Sequence, residues 1–320
     1  MLLYLSERGT FLAQQYKIIV NPTAGKGYAM GKINNICLTL DEKNADYQIF
    51  VTDKPGHAIE LAGKYGKDPE TVVIAAGGDG TCNEVINGLM SVKGLKIPPI
   101  FGTIPIGRGN DFAYGAGIPD TPKEAVTQIL KERTVKLDIG KVSGGDYPEG
   151  RWFGNGIGVG FDAVVGFEAA KLKHIHGSMS YTLGALKTLI LYPEAPEIEF
   201  SVNGVVSHIK PALISVMNGK RMGGSFYMAP EGNLCDGRLN WCHTKQEARL
   251  KLLAAMNAYT KGTQADRDDT KTGHASTISI KALKGSLAVH ADGETICEKG
   301  KELEVTIKSG ALRLIGSTLL

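Results

Sequence analysis

The sequence predicts an α/β domain followed by a mainly antiparallel β domain. Three observations carry that prediction. Up to about Asp138, short apolar runs alternate with stretches of helical spacing. Beyond it, short strands separated by glycine turns take over. The 320-residue length suits two domains, at roughly 100–200 residues each. Apolar residues make up 42% and charged residues 22%, enough for two cores and unlike a disordered chain.

The elements follow in order. YKIIV (16–20) is an apolar run ended by Asn-Pro, hence a buried strand. Residues 29–43 have helical spacing, and YQIFVT (47–52) is the next strand. Pro55 opens a helix through Lys64, in a first-turn position that proline tolerates. TVVIAA (71–76) is a strand, TCNEVINGLM (81–90) a helix and IFGTIP (100–105) a fourth strand. Such alternation means a parallel sheet covered by helices, with ligands beyond the carboxyl ends of the strands. In the second half VKLDIGKV, RWFGNGIGVG, EIEFSVNG, VVSHIKPALISVMNG, GRLNWCH, STISIKA, SLAVHADGE, ELEVTIK and ALRLIG read as strands. Asn203-Gly204 suits a type I′ hairpin turn. Helical stretches interrupt at 162–191 and 245–261, and DRDDTKTGH (266–274) reads as an exposed polar loop. The expectation is an antiparallel sandwich. Domain bounds fall at 16–137 and 138–316, with the extreme C-terminus a candidate to return to the first domain.

Composition narrows the function. A net charge of +3 without a basic tract argues against nucleic acid and is compatible with weak attraction to an anionic membrane. The five cysteines are odd in number, widely spaced and without a CxxC, which suits a reducing cytoplasm. No apolar run reaches the ~18–20 residues of a membrane span. The opening MLLYLSERGTFLAQQ, broken by Glu7 and Arg8, lacks the order of a signal peptide and reads as a loose extension.

Four loops could carry chemistry. In AAGGDGT (75–81) the strand ends at Ala76, and Gly77, Gly78 and Gly80 allow a sharp turn into a helix whose N–H groups would face an anion. Asp79 would repel a bare phosphate. It becomes useful if a divalent cation lies between them; alternatively it caps the helix. NPTAGKG (21–27) follows the first strand, and its Lys26 could neutralise phosphate charge, although the loop is no Walker A and could be an ordinary turn. GTIPIGRGNDFA (102–113) places Arg108, Asn110 and Asp111 beyond the fourth strand. Three glycine loops after parallel strands point to a nucleotide-phosphate crevice. In HADGET (290–295), Asp292 and Glu294 flank one glycine. A carboxylate there could take a hydroxyl proton during phosphoryl transfer, or the pair could simply mark a hairpin turn.

Together these stretches resemble the soluble diacylglycerol kinase and sphingosine kinase superfamily of lipid kinases, most closely its bacterial branch. NPTAGKG, GGDGT, PIGRGNDFA and ADGE match, as do DIGKV (138–142), GIGVGFDA (156–163) and VMNGKRMGGSFYMAPEGNLCDGRL (216–239). GGDGT alone is shared with phosphofructokinases and NAD kinases; the combination is more specific. The resemblance implies a phosphofructokinase-like α/β nucleotide-binding domain, a β-sandwich carrying the lipid pocket and an active site in the cleft between them. ATP would be the donor, Mg2+ the metal and a lipid hydroxyl the acceptor. Asp79 would lie near phosphates and metal. Asn21, Lys26, Gly77, Gly78, Gly80, Thr81, Gly107, Arg108, Gly109, Asn110 and Asp111 would form the nucleotide side. Asp292 would be the general base, with Glu294 near the metal.

Two departures stand out. The family's APxAxxDDGxL reads APEGNLCDGRL here, so Asp236 is kept as a structural-metal candidate while Cys235 replaces an acid. Asp138 matches an aspartate that links that region to the active site. The usual GTGND is GRGND, with Arg108 available to phosphate oxygens, to altered nucleotide choice or to solvent. In 161–192, apolar faces at Val164, Val165, Phe167 and Leu172 and at Leu183, Leu186, Leu189 and Ile190 suit core or an acyl-chain pocket. Lys171, Lys173, His174 and His176 suit a solvated face or anionic headgroups. The expectation is therefore a cytoplasmic, ATP- and Mg2+-dependent lipid kinase, peripheral at the membrane surface, with a homodimer left open. Its rivals are a kinase of a soluble acceptor related to NAD kinase and a non-catalytic nucleotide- or lipid-binding regulator.

Overall fold

The computed structural model describes residues 5–6, 9–10, 15–27, 29–171 and 194–318. The helix expected over 162–191 is seen as Phe161–Lys171. Its remainder, with Leu172, Leu183, Leu186, Leu189, Ile190, Lys173, His174 and His176, lies outside the described residues, as does the side chain of Lys171. The chain divides into two compact units, residues 1–138 with 309–320, and residues 139–308.

The first unit is built on a parallel sheet. Its strands are β1 (Gln15–Val20), β2 (Asp46–Val51), β3 (Val72–Gly77) and β4 (Ile100–Pro105). Helices α1 (Ala29–Asp41), α2 (His57–Tyr65), α3 (Asp79–Met90), α4 (Asp111–Gly115) and α5 (Pro122–Ile129) intervene. The order is β4-β3-β1-β2, and residues 313–315 from the end of the chain add a parallel strand beside β4. β3 and β4 are buried along their whole length, which is why they read as continuous apolar runs; β2, at the edge, is half exposed. Chain direction across the sheet reverses between β1 and β3: the connection from β1 runs to one side, to β2, and that from β3 to the other, to β4. Such a switch point is where ligands bind in open α/β sheets.

Helix α2 corrects one expectation. Pro55 is not in its first turn: Gly56, at φ 83°, precedes the helix. The Glu84 carboxylate of α3 accepts the Gly56 and Ala58 N–H groups at 2.9 and 3.2 Å, so the cap comes from another helix.

The second unit is a β-sandwich. Its strands are β5 (Thr134–Gly144, entering from the first unit), β6 (Tyr147–Phe153), β7 (Gly156–Gly160), β8 (Glu197–Val202), β9 (Val205–Ile209) and β10 (Pro211–Met217). They continue as β11 (Leu239–Lys245), β12 (Thr270–Ala275), β13 (Thr277–Lys284), β14 (Leu287–Ala291), β15 (Glu294–Gly300) and β16 (Glu302–Ile315). One sheet runs β12-β11-β10-β7-β14-β15; facing it are β9-β8-β13-β16 with β5 and β6. Ile157, Val159, Ile214, Val216 and Val289 of one sheet meet Phe153, Ile198, Phe200, Ile278 and Ile280 of the other in one core. Helix α6 (Phe161–Lys171) follows β7, and α7 (Arg249–Lys261) follows β11. The Asn203-Gly204 turn has φ of 50° and 86°, as a type I′ turn demands.

Three strand expectations change. RWFGNGIGVG is two strands, broken at 154–155. Residues 270–275 are not loop but the edge strand β12, paired with β11 from Thr270 to Ala275; an edge with mostly solvent-facing side chains shows little apolar alternation. ELEVTIK and ALRLIG are one strand of 14 residues. Ser309-Gly310 reads as a turn, but the buried Asp138 carboxylate takes the Gly310 N–H at 2.7 Å and the Ser309 hydroxyl at 3.0 Å, so the strand kinks there and continues.

Candidate functional site

In the first unit the three loops that follow β1, β3 and β4 come together. Asn21 N–H donates to Ala76 O at 3.1 Å, and Gly77 O accepts the N–H groups of Ile106 and Gly107 at 2.9 and 3.1 Å. The approach is so close that a Cβ on Gly107 would stand 2.4 Å from the Gly78 Cα, which only glycine avoids. Asp79 opens α3 without capping it. Its Oδ1 instead accepts the Phe112 N–H of α4 at 3.0 Å, tying the GGDGT loop to the GNDFA loop. Asp79 Oδ2 and Asp111 Oδ2 converge on Gly109, 2.9 and 3.5 Å from where a Cβ would stand. Asn110, held at φ 51°, keeps a buried Oδ1 that has no hydrogen-bond partner. Two hard carboxylates beside a helix N-terminus fit Mg2+, which takes one or two carboxylates and leaves its other positions to phosphate oxygens and water.

The other residues expected there divide. Thr81 is buried and folds back over Gly77, shaping the loop from inside. The Asn21 side chain closes a local turn, accepting the N–H and hydroxyl of Thr23 at 3.0 and 2.7 Å. Arg108 is exposed. The Lys26 side chain lies outside the described residues.

In the second unit Asp292 and Gly293 form the turn between β14 and β15, with φ of 48° and 87°. The hairpin reading of DG therefore holds, and the turn has a second feature. The Asp292 carboxylate accepts three backbone N–H groups, from Gly154 to Oδ2 at 2.7 Å and from Asn155 and Gly156 to Oδ1 at 3.0 and 2.9 Å. Both of its oxygens are engaged and fixed in place. Glu294, two residues on, is exposed at the start of β15.

Asp236, the structural-metal candidate, is exposed, and its Oδ1 accepts the Arg238 N–H at 3.0 Å in a local turn. Among the described residues no group of three or more His, Cys, Asp or Glu side chains could hold a metal ion by itself. The five cysteines form no disulfide. No helix among the described residues is long and apolar enough to cross a membrane.

Residues 15–142 match the family described as the diacylglycerol kinase catalytic domain, and residues 155–316 match the YegS C-terminal NAD kinase beta sandwich-like domain. The chain belongs to the diacylglycerol kinase/sphingosine kinase superfamily. A diacylglycerol kinase of Mycobacterium tuberculosis is 28% identical over 288 residues, covering 89% of this chain and 90% of its own. One of Staphylococcus aureus is 27% identical over 284 residues, covering 88% and 87%. The crystal structure of a candidate diacylglycerol kinase of Bacillus anthracis superposes with a TM-score of 0.74 at 25% identity, over 94% of this chain and 96% of that one. Yeast NADH kinase shares the fold alone, with a TM-score of 0.50 at 12% identity over 96% and 84%.

For a kinase of this superfamily, the loops that follow β1, β3 and β4 were legible as glycine motifs. The Gly154–Gly156 segment that receives Asp292 was not, because its contribution is backbone N–H groups, which any residue but proline supplies.

Proposed function

We propose that this chain transfers the terminal phosphoryl group of ATP to a hydroxyl of a lipid, such as diacylglycerol or a related lipid alcohol, with Mg2+. The observation that carries the reading is the meeting of three glycine loops, two of which Asp79 joins through its bond to Phe112. The backbone N–H groups at the start of α3 bind phosphate oxygens. Asp79 and Asp111 would hold Mg2+, and the ion would neutralise charge on the transferring group.

On the acceptor side, the geometry supports a division of roles different from the one the resemblance implies. Asp292, fixed by three N–H donors, positions the turn. Glu294, exposed and outside that cradle, takes the proton. The acceptor oxygen bonds to the terminal phosphorus, the bond to the bridging oxygen of ADP breaks, and the hydroxyl proton passes to Glu294. Positioning and charge neutralisation then supply most of the acceleration. A lipid acceptor brings the enzyme to the membrane surface.

The test is incubation with γ-labelled ATP, Mg2+ and either a total lipid extract or a pool of water-soluble metabolites. Label in a lipid product, dependent on Mg2+, is the expected result. Label only in a soluble product would support a kinase related to NAD kinase, and nucleotide binding without transfer would support a regulator; either would overturn the proposal.

A further inference from the structure

The sandwich carries a second polar feature, on the face of the β7 sheet turned away from the core. β7 alternates strictly: Ile157 and Val159 enter the sandwich core, while Gly156, Gly158 and Gly160 line the opposite face. The register sets His290 of β14 against one side of Gly158 and Ser215 of β10 against the other. Helix α6 starts directly after β7, and its second residue, Asp162, folds back over the same glycine. A Cβ on Gly158 would lie 2.0 Å from Asp162 Oδ2 and 2.5 Å from His290 Nε2. Residue 158 is glycine because those two side chains occupy the space above it.

These groups are not satisfied by each other. His290 Nε2 and Asp162 Oδ2 are 3.7 Å apart, within ion-pair range but too far for a hydrogen bond. Asp162 Oδ2, His290 Nδ1 and Ser215 Oγ are all buried without a hydrogen-bond partner, with His290 9% exposed and Ser215 fully buried. The Tyr259 phenol cannot serve them: its OH is taken by Thr244 Oγ1 at 2.8 Å and Cys242 Sγ at 3.1 Å. Phe161, Leu213 and Met217 line the same face and make its surroundings apolar. Three unpartnered polar groups around one glycine call for a ligand or an ordered water.

The chemistry of the three groups selects the ligand. The carboxylate repels an anion, and one carboxylate with one imidazole is too few donors for a metal site. A neutral hydroxyl fits: it donates to Asp162 Oδ2 and accepts from Ser215 Oγ–H or His290. In apolar surroundings, the molecule bearing it is amphipathic. Resting on the lipid-kinase reading above, we propose that Asp162, Ser215 and His290 hold a second, non-reacting hydroxyl of the acceptor, so that among the lipid alcohols of that reading the preferred substrate is one with at least two hydroxyls, over diacylglycerol with its one. They act as specificity residues, and the reacting hydroxyl lies elsewhere on the same head group.

A matched pair of acceptors tests this: 1-monooleoylglycerol, with two hydroxyls, and ethylene glycol mono-oleate, with one. The wild-type chain should favour the first by about tenfold or more in kcat/KM, the range expected when a site built for a hydroxyl meets an analogue lacking it. Ser215→Ala should reduce that preference to within about threefold, mainly by raising KM for monooleoylglycerol, with KM for ATP unchanged. Its Tm should hold or rise, since it removes a buried hydroxyl that has no partner. Asp162→Asn should shift the preference in the same direction and serves if Ser215→Ala does not fold. Equal use of both acceptors by the wild type, or an intact preference in both variants, overturns the inference and leaves the lipid-kinase reading standing. A lowered Tm with unchanged preference in Ser215→Ala means a structural water and overturns it too. Transfer to neither acceptor nor to any extracted lipid overturns both.

Discussion

Asp79 and Asp292 do similar structural work in the two units, but to different degrees. Each accepts backbone N–H groups from a loop distant in sequence. Asp79 accepts the Phe112 N–H on Oδ1, and its Oδ2 lies beside Gly109, near Asp111 Oδ2. Asp292 takes three, on both oxygens. An aspartate that lies beside a second carboxylate is placed to share a cation with it as well as to hold a loop; one whose two oxygens both accept backbone N–H groups is held as an anchor. Sequence spacing makes the two look alike; the neighbouring Asp111 carboxylate on one side and the cradle of Gly154, Asn155 and Gly156 N–H groups on the other separate them.

Replacing each aspartate tests that contrast most severely. Asp79→Ala should lower kcat/KM by about 10³-fold or more, ~4 kcal/mol of transition-state stabilisation, with a smaller change in Tm; steady-state kinetics beside a thermal melt decides it. Glu294→Gln should cost about 10²- to 10³-fold in kcat and leave Tm alone. Asp292→Ala should show the reverse balance. Three N–H groups lose their acceptor, so a urea titration should record about 2–3 kcal/mol of lost stability. A stable Asp292→Ala chain would break the comparison.

Smaller effects sharpen it. Gly107→Ala forces the loops after β3 and β4 apart, since the new Cβ would meet the Gly78 Cα at 2.4 Å. KM for ATP should rise about tenfold while KM for the lipid stays put. His243, stacked on Trp241 in the sandwich, gives a stability effect unrelated to catalysis. Burial, helped by the positive charge of Lys271, pushes its pKa from 6.5 down to about 4. Between those values the unfolded chain binds a proton that the folded chain refuses. Stability should therefore fall as pH drops from 6.5 towards 4 and level off below, by about 3 kcal/mol from this group. His243→Phe should remove that slope in urea titrations at pH 7, 5.5 and 4.

How much of this was readable beforehand depends on how local the cause is. The loops after β1, β3 and β4 announce themselves because glycines sit directly after apolar runs, and strand, turn and helix start are adjacent in sequence. The DG turn at 292–293 and the NG turn at 203–204 are legible for the same reason. The partners of Asp292 are not, since Gly154, Asn155 and Gly156 contribute N–H groups from the far side of the second unit's sequence. The cluster over Gly158 is hidden by register: His290 and Ser215 meet the same glycine only through two strand pairings. GIGVG shows its alternation in sequence, but not what fills the space above the glycines. β12 is not legible because an edge strand needs no apolar periodicity, and the continuity of β16 is not because a buried aspartate, Asp138, holds a kink that reads as a turn.

Titration of Mg2+–ATP into Asp79→Asn and Glu294→Gln, each then assayed for transfer to lipid, tests most directly the claim that the first unit holds the donor and the second activates the acceptor. The account predicts that Asp79→Asn weakens nucleotide binding tenfold or more, while Glu294→Gln binds Mg2+–ATP as the wild type does and fails to turn over. Equal loss of ATP affinity in both, or wild-type turnover in Glu294→Gln, would contradict it.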